Sequence, residues 1–150
     1  MKWRAVLCSF ILLTGLARAD PFTGTWLLNL SKSKLPLPLP VRQTSYIEAD
    51  SRGIRIREVI VEENGEKINI TVDAKFDGND YAVVGLPFVD TVAYQRVDSH
   101  ILKGIAKKAG KVVTRETATV SEDGKVLTGN YSGTDLNGKQ VNAVAVFDKQ

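Results

Sequence analysis

The sequence predicts an all-β chain: an antiparallel up-and-down meander of about ten strands that closes into a barrel. Two observations carry that reading. Ile68, Ile70, Val72, Ala74 and Phe76 alternate with Lys67, Asn69, Thr71, Asp73 and Lys75, a period of two with one face in a core and the other in water. Turn dipeptides, Asn64-Gly65, Asp77-Gly78, Ala109-Gly110, Asp123-Gly124 and Asn137-Gly138, punctuate the chain and suit tight antiparallel hairpins. No stretch after the N-terminal leader shows the 3.6-residue periodicity of an amphipathic helix.

The leader is read first, because it is set aside before the fold. Lys2 and Arg4 precede an apolar run from Ala5 to Leu16, and Ala17-Arg18-Ala19 places small residues at a cleavage site, the pattern of a signal peptide over residues 1–19. Cleavage between Ala19 and Asp20 leaves 131 of the 150 residues, enough for one domain over 20–150. The product is expected to be secreted or periplasmic, without stable membrane insertion. Cys8, the one cysteine, leaves with the leader, so burial and not disulfides must hold the fold. Lys2, Arg4 and Arg18 leave too, reducing the 20 basic side chains to 17 against 17 acidic ones. That balance argues against nucleic acid as a partner.

Gly24 to Leu30 forms the anchor strand. Ser31 to Val41 is a connection that the alternating prolines of Leu35 to Pro40 keep extended, either a flap over the barrel mouth or a strap at the closed end. Strands follow at Gln43 to Ala49, Gly53 to Glu62 and Lys67 to Phe76, then Tyr81 to Val84, Thr91 to Val97 and Ile101 to Lys107. Lys111 to Val120, Lys125 to Ser132 and Lys139 to Asp148 complete the set. A meander that did not close would leave two long edges exposed to other chains. A sandwich needs longer crossings, for which only Ser31 to Val41 and Gly85 to Asp90 qualify.

With Gly24-x-Trp26 on its first strand, the chain resembles the lipocalin and fatty-acid-binding-protein (calycin) barrels. The resemblance implies that Gly24 and Trp26 close one end structurally and that a small apolar or amphipathic ligand occupies the interior. No arginine follows Arg115 to pack over the tryptophan, as a late arginine does in typical lipocalins. Ile70, Val72, Phe76 and Tyr94 are the expected lining, with Ile68 and Val92 beside them. Gly104, Ala106, Ala143 and Ala145 are too small to fill a ten-strand interior. Arg57, Arg96 and Arg115 are candidates to meet an anionic head, since a buried arginine requires a carboxylate; the alternative for each is an outward arginine in a solvated ladder. Glu58 and Glu116 point away from Arg57 and Arg115 and do not pair with them.

Other motifs lead elsewhere. Asp73 to Asp80 fails as a calcium loop, because Lys75 takes a ligand position and Val84 the closing one; no metal or cofactor is expected. Asn29, Asn69 and Asn130 begin glycosylation triplets inside strands, where the acceptor is inaccessible. Lys103, Lys107, Lys108 and Lys111 form a solvated charged face. His100, the single histidine, sits in a turn without a nucleophile motif, so a carrier is expected and not an enzyme, although a two-carboxylate site needs no histidine. A monomer is expected; the alternative function is a structural or protein-interaction module with a fully packed barrel.

Overall fold

The computed structural model describes residues 19–134 and 137–150. The expected leader, apart from Ala19, lies outside the described residues. Ten strands follow in sequence order: β1 (Gly24–Leu28), β2 (Arg42–Ala49), β3 (Gly53–Val61), β4 (Lys67–Lys75) and β5 (Tyr81–Val84), then β6 (Thr91–Arg96), β7 (Ile101–Lys108), β8 (Lys111–Val120), β9 (Val126–Thr134) and β10 (Gln140–Lys149). Each pairs antiparallel with its neighbours in sequence, and β10 returns to β1, so the sheet is a closed barrel. The all-β meander is therefore as the sequence predicts. Glycines turn the hairpins with φ of +83° at Gly65 and +71° at Gly124, a region that side chains with a Cβ avoid.

Strand ends shift by one or two residues from those expected, and the shift at β1 has a visible cause. The anchor strand ends at Leu28, because Asn29 caps a 3-10 turn over Leu30–Lys32, its side chain accepting from the Lys32 N–H at 3.2 Å. The Asn29 amide also donates to Asp148 at 2.6 Å. The Leu-Pro connection then runs from the C-terminal end of β1 to the start of β2, which is the mouth end of the barrel and not the closed end. Leu35 packs against the core, whereas Leu37 stays 84% exposed.

Period two sorts the side chains between two environments. Outside, Glu48, Arg55 and Asp73 share one row of the register, with Arg55 2.9 Å from Asp73 and 3.5 Å from Glu48. All three are exposed, so this ladder adds solubility more than stability. Inside, the lower half is packed by Ile54, Ala74, Leu102, Val120, Leu127 and Phe147. No helix among the described residues is long and apolar enough to cross a membrane.

The closed end is a plug built around Trp26, which is fully buried. Its indole N–H donates to the Phe22 carbonyl at 2.9 Å, meeting the demand that a buried ring nitrogen find a partner. Lys149, on the last strand and opposite Trp26 in register, holds its ammonium 4.9 Å from the ring centroid, so a lysine supplies the cation that no late arginine provides. Gly24 lies beneath it: a Cβ there would meet Lys149 Cε at 2.5 Å, and its φ of +149° suits glycine. Truncating Trp26 to Ala is expected to cost about 3–5 kcal/mol through the cavity it leaves, whereas Lys149→Ala costs at most about 1 kcal/mol. Urea unfolding of the two variants checks the ranking.

Candidate ligand cavity

Above the packed half, the barrel holds a cavity of about 370 Å³, within the range of small-molecule sites. A narrow extension of about 50 Å³ reaches down beside Leu102 and Phe147. The wall is aliphatic on β3, β4, β5 and β6, through Ile56, Ile60, Ile70, Val72, Val83 and Val92. Leu86, Phe88 and Val89, in the connection between β5 and β6, line the mouth, and Phe88 is 48% exposed. The sheet pairs most briefly here: β4 and β5 meet only at Thr71↔Val84 and Val72↔Val83, and β5 and β6 only at Tyr81↔Val92 and Ala82↔Thr91.

One row of the register brings the aromatic and acidic side chains together. Tyr94 lies opposite Gly104, Gly104 opposite Glu116, Glu116 opposite Tyr131, and Tyr131 opposite Ala143. Directly opposed residues on one face stand about 4.5–5.5 Å apart at Cβ, so large side chains fit in such a row only if small ones alternate with them. Gly104 meets that need, since a Cβ there would stand 2.9 Å from the Tyr94 ring and 3.2 Å from Glu116 Oε2. Gly129, two residues along β9, gives the same clearance to Tyr131, whose hydroxyl would lie 2.7 Å from a Cβ. On the opposite wall Ser45, Glu58 and Ile70 share a second row. Glu58 accepts from Gln43 Nε2 at 2.6 Å and from Ser45 Oγ at 2.8 Å.

Both carboxyls are enclosed by the barrel wall, and the cavity is the space they face. Burial pushes Glu116 up to about 7, against hydrogen bonding from Tyr131 that lowers it and with a further rise from the charge of Glu58. Glu58 is also raised, by burial first, with Ser45 and Gln43 acting against the rise. Tyr94 and Tyr131 are pushed well above the usual phenol range by burial, then by Glu116 and Glu58. The physical cause is common to all four: the charged form of each loses water that the wall does not replace.

The residues expected from sequence separate into three groups. Ile70, Val72 and Tyr94 line the cavity, with Val92, Gly104 and Ala106. Phe76 and Arg96 lie at the closed end instead. Arg96 Nη2 is 2.8 Å from Asp20, and its guanidinium stacks 4.5 Å from the Phe76 centroid and 5.6 Å from that of Phe22. Geometry for a good hydrogen bond is lacking at Nε and Nη2, so Arg96 is held by charge and aromatic contact as part of the plug. Arg115 is exposed on the outer wall, because its neighbour Glu116 takes the inward position. The interior therefore carries acids where the sequence suggested a cation. The signal was present: in Ile54-Arg55-Ile56-Arg57-Glu58-Val59-Ile60 the alternation places Glu58 where an isoleucine is due.

Among the described residues, no group of acidic, histidine or cysteine side chains is placed to hold a metal. His100 contacts Ser99 Oγ at 2.9 Å in the β6–β7 turn, far in chain position from the acidic rows. Lys107 and Lys108 pair with Asp80 and Asp90 at 2.9 and 2.7 Å.

The architecture has a known counterpart. The chain is similar to the crystal structure of zebrafish ileal bile acid-binding protein complexed with cholic acid, at a TM-score of 0.55 and 12% identity, over 87% of this chain and 99% of that one. The two share the antiparallel β-barrel fold. No family model matches the sequence and no curated protein matches it.

The raised carboxyl of Glu116 sets a pH dependence. Between the ordinary value of 4.5 and about 7, the folded state binds a proton that the unfolded state has released, so stability falls as pH rises through that window. The loss is roughly 3 kcal/mol. Glu116→Gln removes this part of the slope and is expected to be more stable than wild type at pH 8 but not at pH 4, as read by urea unfolding at the two values.

Proposed function

We propose that the mature chain is an exported, monomeric carrier that encloses a small apolar or amphipathic molecule and acts by binding, without catalysis. The observation that carries this is the half-empty interior: the lower barrel is packed, while the upper barrel keeps about 370 Å³ behind an apolar wall. A sheet of ten strands makes a wider ring than the eight that side chains can fill, and Gly104 and Ala106 widen it further. The alternative of a fully packed interaction module is disfavoured by that space. The shared fold with a protein whose structure contains cholic acid supports an interior ligand. Export is supported by the basic, apolar and small-residue pattern of residues 1–19.

Affinity in such a site comes from removing the ligand's apolar surface from water, about 25 cal/mol per Å², and the few polar wall groups orient it. The mouth residues Leu86 and Phe88 are placed to move aside where the β4–β5 seam is short.

Native mass spectrometry of the protein purified from its own host is expected to show the chain with a discrete small molecule attached. Ala106→Trp, which fills the cavity, is expected to weaken binding at least tenfold, while Arg115→Ala on the outer wall leaves it unchanged. A bare chain with no uptake of any lipid would contradict the reading.

A further inference from the structure

Within the carrier reading, on which this inference rests, we propose that the cargo is cationic: a lipophilic amine or quaternary ammonium whose nitrogen sits between Glu58 and Glu116 and whose hydrocarbon part fills the aliphatic upper cavity.

Charged and titratable groups face the interior from four strands: Glu58 from β3, Tyr94 from β6, Glu116 from β8 and Tyr131 from β9. From β2 come the uncharged Gln43 and Ser45, and from β4, β5, β7 and β10 only apolar residues or glycine. Among the described residues, no lysine, arginine or histidine lines the cavity. Arg57 and Arg115 project outward, and Arg96 is committed to Asp20 at the closed end. The site therefore contains two acids and no cation of its own.

Above about pH 7, where Glu116 is ionised, an anionic head would meet like charge there, in a medium where water does not screen it. A cation meets the reverse. Two enclosed carboxyls without a basic partner are costly when ionised, and a ligand ammonium supplies the missing charge. The donors beside the two acids are already engaged: Gln43 and Ser45 both donate to Glu58, and Tyr131 serves Glu116. Those donors steady the ionised form of each acid for a cation to approach. Tyr94 is 8% exposed and faces the same cavity. Its ring and that of Tyr131 offer aromatic faces of the kind that bind alkylated ammonium groups.

The inward placement of these acids is not an accident of crowding. Gly104 keeps clear the space into which Tyr94 and Glu116 project, so the row is shaped to hold them. Because burial keeps Glu116 protonated until about pH 7, cation binding must displace that proton, and affinity rises with pH across this range.

The test uses calorimetric titration of the mature protein with three twelve-carbon probes below their micellar concentrations: dodecyltrimethylammonium, dodecanol and dodecanoate. At pH 8 the ammonium is expected to bind at least tenfold more tightly than either of the others. Its advantage over dodecanol, which does not titrate, should shrink at least fivefold at pH 5.5. In the Glu58→Gln, Glu116→Gln double variant the advantage should disappear while dodecanol still binds, which also shows that the cavity is intact. Dodecanol or dodecanoate binding as tightly as the ammonium at pH 8 would overturn the charge assignment and leave the carrier standing. Failure of all three to bind would overturn both.

Discussion

Everything in this molecule depends on closing the sheet, and closure rests on a short first strand. β1 joins β10 through only three register pairs, Trp26↔Lys149, Leu27↔Asp148 and Leu28↔Phe147. If that seam opened, two strands would present unpaired backbone to other chains, and the interior would become a groove. The plug compensates for the brevity of the seam. Trp26 is buried with its N–H bonded to Phe22, Lys149 lies over its ring, and Arg96 ties Phe22, Phe76 and Asp20 into one cluster. Beyond the strand ends, Asn29 and Lys32 reach Asp148 at 2.6 and 2.9 Å, extending the same seam toward the mouth.

Closure at one end leaves the other free for function. The lower interior follows the ordinary rule of a packed core, and the upper interior departs from it with glycines, alanine, tyrosines and two acids. Such departures have a cost, since enclosing an ionisable carboxyl without a cation opposes folding at neutral pH. Stability is therefore given up where the cavity is and recovered in the plug and the aliphatic floor. The outer wall carries the compensating solubility, with Glu48, Arg55 and Asp73 in one exposed ladder.

Much of the fold was legible because strands declare themselves locally. The clear alternation from Lys67 to Phe76 and the glycine turns depend on neighbours in sequence, and the strand boundaries they predict agree with the structure to within a residue or two. The exceptions are instructive. The anchor strand stops early because Asn29 caps the turn that follows it, and its amide also finds a partner 119 residues away in Asp148, which no local pattern announces. The cavity was half legible: Ile70, Val72 and Tyr94 follow from alternation, but the search for a ligand partner favoured arginine over the acids beside it. Arg115 lies outside because Glu116 lies inside, a single choice of parity along β8. Phe76 and Arg96 belong to the plug because their places near the ends of β4 and β6 carry them past the cavity floor.

The sequence by itself determined the strands, their turns and the assignment of alternate residues to two faces, since each of these is set by backbone preference and the two-residue period. Tertiary structure alone decided which face is inside at each end, how far the interior is filled, and that Glu58 and Glu116 face one cavity. Those outcomes depend on the register between strands distant in sequence: Tyr94, Gly104, Glu116 and Tyr131 become one row only when β6 to β9 align. A lysine over the tryptophan, in place of an arginine, has the same origin, because the last strand meets the first only when the barrel closes.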